Sequence, residues 1–422
     1  MNADMHFVLK EILARAGSTR VLVVGDLILD EYLWGHIERI SPEAPVPIVE
    51  LDNRRQRFSL GGAANVAHNL KHLGANVFLA GIIGDDPRGM SFCQAQIRDG
   101  IDAMGTLIEK GRVTTCKTRV IAQDRQVIRI DQEVKCSPNL KSQERLWCYI
   151  EGVIPQVAGV ILSDYGKGVL NDSLLRLILD QAKSLGIPIL VDPYGVSYER
   201  YNGSIALTPN LKEAELLIGE PLGDWTLIPA GDLLLKNTGC KYFLITRGKE
   251  GMSLFQQDAP PRHIRTQAQE VFDVSGAGDT VISVFGLGII LGCDPLACAK
   301  LANLAAGIVV SKIGTTPITT QELEDRFYGK EKIELNKPII RPPEVEKILC
   351  WAYAQGKQVV FAQGTYDPIF PKDVAYLQDL RNKGDMLIVF LEPGLNPLIP
   401  QQERAFMLSA FSCVDYVAML ES

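Results

Sequence analysis

A short run in the second half of the chain, Asp273-Val-Ser-Gly-Ala-Gly-Asp-Thr280, precedes an apolar helical stretch and combines three chemical features. Gly276, Ala277 and Gly278 are small enough to let backbone amides approach a ligand closely. A helix N-terminus offers unpaired N–H groups and a partial positive charge, which suits a phosphate. Asp279 then sits beside that anion hole, where a carboxylate can take the proton of a hydroxyl attacking a γ-phosphate. The same residues also fit a plain glycine-rich turn with a capping aspartate, and spacing alone does not separate the two. The run is neither a Walker A loop nor a Gly-x-Gly-x-x-Gly fingerprint.

Four further segments bear on that choice. Gly61-Gly62-Ala63-Ala64-Asn65 precedes a helix; its glycines allow a sugar to lie against backbone, and Asn65 offers both a donor and an acceptor. A plain turn and helix start is the alternative. Thr208-Pro-Asn-Leu-Lys-Glu213 sets Asn210 and Glu213 three apart at a helix start, fit for phosphates and a hydrated Mg²⁺ or for simple capping. Thr246-Arg-Gly-Lys-Glu-Gly251 follows a strand and suits the approach of a nucleotide, or a hairpin turn. Asp26 ends the first strand, where open α/β sheets bind ligands.

The elements that must position these residues alternate. Strands are expected at Arg20–Gly25, Val77–Ile82, Val160–Leu162, Ile187–Val191 and Tyr242–Thr246. Helices are expected at Gly62–Leu73, Ser173–Ser184, Ala277–Leu291 and Pro295–Lys312. This order predicts a largely parallel sheet with helices on both faces. Trp34–Leu51 and Thr114–Asp131 alternate apolar and polar residues and read as strands of a separate small sheet, a lid over a substrate. After Phe327 the composition changes. Gly329–Pro343 reads as a linker, and Val359–Ala362, Asp373–Lys383, Met386–Leu391 and Gln401–Ser409 as a short second βαβα pattern.

Composition narrows the classes. The chain has 422 residues, 46% hydrophobic and 22% charged, with net charge −7, as expected of a soluble protein of two or three domains. No dense Lys/Arg run supports nucleic-acid binding; Arg54-Arg55-Gln56-Arg57 is short and reads as a solvated edge. No apolar run reaches membrane-spanning length, and no basic-then-apolar leader opens the sequence. Nine scattered cysteines without a Cys-x-x-Cys point to reduced thiols and the cytoplasm. His68 and His72 stand four apart, a metal-ligand spacing without a third ligand, and read as helix surface or sugar contact. Cys293 and Cys298 flank a helix start and read as core or free thiols.

Together these segments resemble the ribokinase-like (PfkB) carbohydrate kinases over about residues 18–327. The two glycine-rich signatures of that family appear as Gly61–Asn65 and Asp273–Thr280, in order and at the right separation. Arg39-Ile-Ser-Pro-Glu-Ala-Pro-Val-Pro47, Thr114-Thr-Cys-Lys-Thr-Arg119 and Ser163-Asp-Tyr-Gly-Lys-Gly168 are similar to one branch, the bifunctional heptose 7-phosphate kinases/heptose 1-phosphate adenylyltransferases. The resemblance implies an α/β three-layer sandwich with a small β-sheet lid, residues 1–328, the lid from about 32–58 and 112–132. A small Rossmann-like nucleotidyltransferase-type domain at 344–422 would follow the linker at 329–343. It implies phosphorylation by ATP of O1 of D-glycero-β-D-manno-heptose 7-phosphate, for ADP-heptose and lipopolysaccharide core, by a homodimer.

By matching positions, Asp279 would be the base and Gly276, Ala277 and Gly278 the anion hole. Asn210, Leu211, Lys212 and Glu213 would serve the ATP phosphates and Mg²⁺, Glu213 indirectly. Thr246, Gly248, Gly251 and Asn303 would serve the nucleotide. Asp26, Gly61, Gly62, Asn65 and Asp164 would face the sugar. A sugar that already carries a phosphate needs a cationic clamp, with Lys117, Arg119, Arg129 and Lys167 as candidates, each of which also suits a surface ion pair. That alternative weighs most for Arg129, which precedes Asp131. Gly307, Gly314 and Thr315 resemble a region that binds a monovalent cation in some members of the family.

The tail departs from the resemblance. Adenylyltransferases of this type use His-x-Gly-His on the nucleotide phosphates, and Phe370-Pro-Lys-Asp373 stands there instead. The histidines of the chain are His6, His36, His68, His72 and His263. Asp373 brings the wrong charge to that place. Leu391–Pro400 is shorter than the family's basic loop, and Ser422 falls short of its last nucleotide-contacting segment. The expectation is a degenerate domain without nucleotidyl transfer, retained for structure or dimerisation. Two other functions fit the same residues: a catalytically silent sugar-phosphate sensor or scaffold, and a kinase for another sugar.

Overall fold

The runs Arg20–Gly25, Gly159–Ser163 and Tyr242–Thr246 have no polar face, and strands of that kind need cover on both sides. In the structure, a computed structural model, they receive it. The structure describes residues 3–420 except 124, 196, 224, 258, 267–270, 272, 313, 328–338 and 395–396. Two compact units divide the chain, Met1–Glu324 and Asp325–Ser422.

In the first unit the strands are β1 (Arg20–Gly25), β2 (Leu27–Ile40), β3 (Pro47–Gly62), β4 (Asn76–Gly84), β5 (Gly105–Glu109), β6 (Thr115–Ala122), β7 (Arg125–Gln132), β8 (Gly159–Ser163), β9 (Ile189–Asp192), β10 (Ala206–Leu207), β11 (Tyr242–Thr246), β12 (Met252–Gln256) and β13 (Ala259–Ile264). The helices are α1 (Ala3–Arg15), α2 (Ala63–His72), α3 (Pro87–Arg98), α4 (Leu140–Val153), α5 (Asp172–Ser184), α6 (Leu211–Ile218), α7 (Leu227–Thr238), α8 (Ala277–Ile290) and α9 (Pro295–Val309), with α10 (Thr320–Phe327) spanning the division. The main sheet runs β13-β12-β11-β10-β9-β8-β1-β4-β5. It is parallel from β5 to β11, and β12 and β13 close it as an antiparallel edge.

Alternation along the strands decides which helix covers which face. Leu22, Val24, Leu162 and Phe243 pack with Leu146 and Ile150 of α4, Leu174 and Ile178 of α5 and Leu234 of α7. Their alternates Ile161 and Leu190 point to the other side, where Gly286 of α8 lies against both. There α8 packs on α2 and α9, and α1 packs on α8 and α9.

The second sheet, β3-β2-β6-β7, is separate, as the alternating segments predict. Its first two strands are longer than Trp34–Leu51, because β2 begins two residues after β1 and β3 runs straight into α2. The hairpin between them is closed by a Ser41 N–H bond to the Val46 carbonyl (2.8 Å).

The second unit holds β14 (Ile339–Ile340), α11 (Pro342–Ala354), β15 (Val359–Gly364), α12 (Pro371–Arg381), β16 (Met386–Leu391), α13 (Gln401–Ser409) and β17 (Tyr416–Met419). Its sheet is parallel, in the order β14-β17-β16-β15. Leu387, Val389 and Leu391 face Leu377 of α12 and Leu408 of α13, while Met386 and Ile388 face Val345 and Ile348 of α11. The expected linker needs correction at its end. Residues 328–338 lie outside the described residues, but Ile339–Ile340 is a strand paired with β17 and Pro342 opens a helix. A two-residue apolar step before Arg-Pro-Pro is too short to show a period, so composition masked it.

Arg404 ties this unit together. It is fully buried, and its guanidinium donates to the carbonyls of Ile399 (2.8 Å), Glu392 (3.1 Å), Pro393 (2.6 Å) and Thr365. Among the described residues it has no carboxylate partner. Arg404→Met leaves those carbonyls without a donor and is expected to destabilise the second unit by roughly 3 kcal/mol or more. Urea denaturation checks this: the second unit's midpoint should fall while the first unit's stays in place, and an unmoved midpoint refutes it.

Candidate active site

Helix α8 begins without a side-chain cap. Its N-cap is Gly276, in the left-handed region at φ 79°; the Ala277 N–H turns back to the Val274 carbonyl (3.3 Å), and the Gly278 and Asp279 N–H groups stay available to an anion. Asp279 lies in that first turn and is 2% exposed. Its carboxylate accepts from Asn65 Nδ2 at Oδ2 (2.7 Å) and from the Tyr165 hydroxyl at Oδ1 (2.8 Å). Asn65 comes from the first turn of α2 and Tyr165 from the loop after β8. Burial pushes Asp279 up to about 6, its two donors pull it down, Asp30 raises it and Lys117 lowers it.

Asp279 stands in a cavity of about 370 Å³. The lid sheet supplies Ile28 and Asp30 from β2, Lys117 and Arg119 from β6, and Arg129 from β7. The carboxyl ends of the main-sheet strands supply Asp164, Tyr165, Asp192, Pro193, Tyr194, Thr208, Asn210, Glu213 and Thr246. Val274, Ser275, Gly276, Gly278, Thr315 and Gly62 complete it.

The cations differ in what they have left to give. Arg119 is paired with Asp30 (2.5 Å) inside the protein, with its guanidinium over the Tyr32 ring. Arg129 forks onto Asp131 (both contacts 2.9 Å), as its position beside that residue suggests. Lys167 is bound to Glu133 and does not line the cavity. Lys117 has no ion-pair partner among the described residues; its Nζ lies 5.2 Å from the centroid of the Tyr165 ring, and burial pulls its pKa down.

Twelve of the expected residues line the cavity: Gly62, Lys117, Arg119, Arg129, Asp164, Asn210, Glu213, Thr246, Gly276, Gly278, Asp279 and Thr315. Asn210 and Glu213 do two things at once. Each caps the other's backbone N–H (3.0 and 2.8 Å) at the start of α6, and both face the cavity. Burial raises Glu213. Burial, then the charges of Glu213 and Asp279, push Asp192 well above the usual carboxylate range. Among the described residues no cluster of three or more His, Cys, Asp or Glu side chains is set for a metal. A buried Asp192 raised further by the charge of Glu213 is nevertheless a setting that a divalent cation relieves.

Other expected residues are placed elsewhere. Asp26 turns under the loop after β8, where its carboxylate accepts from the N–H groups of Tyr165 (2.9 Å), Lys167 (3.0 Å) and Val169 (3.2 Å). Asp30 is the lid-strand aspartate that reaches the cavity. Asn65 lies behind Asp279 rather than on the cavity wall, and Gly61 packs where a Cβ would meet Asp30 Oδ2 at 2.4 Å. Leu211, Lys212 and Ala277 belong to the helix starts without lining the cavity. Gly248 and Gly251 form the turn between β11 and β12; a Cβ on Gly251 would meet the Ile264 carbonyl at 2.0 Å. Asn303 donates to the Arg265 carbonyl (2.9 Å). Gly307 sits within α9. Gly314 donates its N–H to Asp273 (3.1 Å), beside Thr315, which does line the cavity and also bonds Ser59 (2.7 Å).

Sequence reasoning missed Asp30, Asp192 and Tyr194, and it quoted Tyr165, Thr208 and Ser275 within their runs without giving them a role of their own. Two signals were present. Ile28 and Asp30, like Lys117 and Arg119, are two apart on strands, and Asp30 pairs in register with Lys117. Asp192 and Thr208 end β9 and follow β10, the same strand-end rule that drew attention to Asp26.

Comparison with known proteins follows this geometry. The description "pfkB family carbohydrate kinase" matches residues 18–322. The chain is 41% identical to the bifunctional protein HldE of Trichlorobacter lovleyi over 98% of its own length and 85% of the relative's. It is 39% identical to the bifunctional protein HldE of Geobacter sulfurreducens over 98% and 86% of the two chains. Among solved structures, Arabidopsis thaliana ribokinase complexed with ribose and ATP superposes with TM-score 0.57 at 19% identity, covering 73% of this chain and 98% of that one. Phosphofructokinase-2 from Escherichia coli in complex with substrates and products gives TM-score 0.61 at 15% identity, covering 73% and 98%. These likenesses show a ribokinase-like α/β fold.

Gly276 is constrained both by its backbone and by a neighbour that touches the site. A Cβ there would meet Asn65 Nδ2 at 2.6 Å, and the left-handed backbone disfavours any other residue. Gly276→Ala is expected to destabilise the protein by about 1–2 kcal/mol, because Asn65 can yield only by releasing Asp279. Thermal unfolding of the variant checks this; an unchanged midpoint refutes it.

Proposed function

The chain belongs to the pfkB family of carbohydrate kinases, and on that premise we propose that it phosphorylates O1 of D-glycero-β-D-manno-heptose 7-phosphate with ATP. The observation that carries the reading is the buried Asp279 at an uncapped helix N-terminus, in a cavity where Lys117 has no anionic partner among the described residues. The sugar hydroxyl attacks the γ-phosphorus, the bond to the ADP oxygen breaks, and the hydroxyl proton passes to Asp279. First-turn N–H groups beside Gly276 and Gly278 face the charge on the transferring phosphoryl oxygens. Lys117, with the Arg119–Asp30 pair beside it, holds the phosphate already on the sugar. Asn210, Glu213 and Thr246 serve ATP. Asp192 and Glu213 suit a hydrated Mg²⁺, which when bound neutralises phosphate charge. The product would feed ADP-heptose and lipopolysaccharide core synthesis in the cytoplasm. No helix among the described residues is long and apolar enough to cross a membrane. A homodimer through the lid would cover Val127, Ile128 and Ile130, which β7 leaves exposed.

The second unit is proposed to be a nucleotidyltransferase-type domain that no longer transfers nucleotides. No histidine lies in it, and at the start of α12 the Asp373 carboxylate accepts from the Phe370 N–H (2.8 Å), where the resemblance calls for cationic groups. A catalytically silent sensor is disfavoured, because Asp279 and its donors are all in place.

The base must be ionised to act. With Asp279 near 6, turnover should fall as pH drops through about 6 and stay level above it. Asp279→Asn should lower kcat by about 10²–10⁴-fold at pH 8 and remove that limb. Coupled ADP release with heptose 7-phosphate and other sugars checks both; equal rates for the two proteins refute the role. For the second unit, purified protein given ATP and heptose 1-phosphate should form no ADP-heptose by mass spectrometry, and its formation refutes that part.

A further inference from the structure

We propose that Tyr165 is the positioning residue of the Asp279 base, its hydroxyl holding the carboxylate and its ring holding Lys117. The inference rests on the reading of Asp279 as the base of a carbohydrate kinase. A carboxylate turns easily about its last torsion, which is a broad rather than a staggered well. One donor leaves that rotation open. Here Asn65 takes Oδ2 and Tyr165 takes Oδ1, from separate elements, so the plane of the carboxylate is fixed.

Tyr165 is itself held on three sides. Its N–H is bound by the buried Asp26 (2.9 Å), which also binds the Lys167 and Val169 amides and so anchors the whole loop. Gly166 follows at φ 66°, where a Cβ would strike the Tyr194 ring at 2.2 Å. On its face, Lys117 Nζ lies 5.2 Å from the ring centroid. A ring under the ammonium attracts it without neutralising it, as a carboxylate would. The lysine is therefore placed yet left charged for a substrate phosphate. A phenylalanine would fill the same volume; only the hydroxyl reaches the base.

The charges facing Asp279 are Asp30 from β2, Lys117 from β6 and Asp192 from β9. Burial and Asp279 itself push the Tyr165 hydroxyl well above its ordinary value, so it remains a donor throughout the working range. As a donor to the charged form it lowers the pKa of Asp279, and its loss should raise it.

The test compares Tyr165→Phe and Tyr165→Leu with the unaltered protein. Tyr165→Phe should move the acid limb of kcat up by about one pH unit and lower kcat about tenfold, with the KM for the phosphate-bearing sugar within about twofold. Tyr165→Leu should do the same and also raise that KM about tenfold, without changing the KM for ATP. A role in folding alone would lower active enzyme without moving the limb. The Asp279 carboxyl is also titrated directly in the protein without substrate, by infrared difference against Asp279→Asn. Its midpoint should rise in Tyr165→Phe, and this readout holds whether or not any tested sugar is turned over. An unmoved carboxyl midpoint in Tyr165→Phe overturns the proposal, even if turnover falls. Failure of every sugar to react, with the midpoint shifted, overturns the substrate reading and leaves Tyr165 as the group that holds Asp279.

Discussion

The first unit is organised around a carboxylate set in a place that disfavours its charge. Burial lifts Asp279 to about 6. That displacement corresponds to roughly 3 kcal/mol in favour of the protonated form. The associated stability is present below the ordinary carboxylate pKa and is lost as pH rises through the folded value. At neutral pH the fold therefore carries a cost, and the donors around Asp279 limit it. They come from different elements, Asn65 from α2 and Tyr165 from the loop after β8. Parallel pairing of β1 with β8 brings Gly25 against the Ser163 carbonyl, where a Cβ would clash at 2.0 Å, and sets Asp26 under the Tyr165 loop. The run of β3 into α2 through Gly62, at φ 59°, delivers Asn65. Sheet order and helix start thus act on one side chain.

The lid is tied to the same centre. Asp273, the first residue of the glycine-rich run, accepts from the N–H groups of Ser275 (2.9 Å) and Gly314 (3.1 Å). The adjoining Thr315 donates its N–H to the Tyr32 hydroxyl (3.0 Å) and its hydroxyl to Asp30 (3.3 Å), and it bonds Ser59. Asp30 in turn holds Arg119. The roots of β2, β3 and β6 are thereby linked to the loop that precedes α8. Gly314 leaves room for the Tyr32 ring, which a Cβ would approach to 3.0 Å. The lid strands and the start of α8 share one bonded framework, so the cavity face of the lid is set relative to Asp279.

Much of this was legible in the sequence, for reasons that differ by residue. Uniform apolar runs identified the buried parallel strands, and alternation identified the lid. Gly276–Asp279 stood out because small residues, a helix start and a carboxylate were contiguous. Spacing leaves Asn210 and Glu213 open between a cap and a phosphate site; they cap one another and also line the cavity. Asp26 was misplaced because a strand end states where a side chain begins, not which way it turns. Its carboxylate went to three amides that no local pattern announces. Tyr165 drew no role of its own because an aromatic in a glycine-flanked loop reads as packing. Its value lies in a hydroxyl bond to a residue 114 positions away. Contacts of that separation depend on the fold, not on spacing.

Two helix starts in this chain show how local electrostatics separates the units. At α8 the N-cap is a glycine with no side-chain acceptor, so the positive end of the helix is left for an external anion. At α12 the corresponding place is already occupied by the protein's own charge, since Asp373 accepts from the Phe370 N–H. Phe370 and Pro371 beside it, with Ile369, Met407 and Phe411, make that neighbourhood apolar. A phosphate placed there would meet the Asp373 carboxylate, with the Lys372 ammonium over the Phe370 ring beside it. The second unit keeps its sheet, its alternating core and the buried Arg404 that binds its loops. Those features serve folding and are indifferent to the charge at the helix start. The stability of this unit thus rests on residues other than those at its helix start.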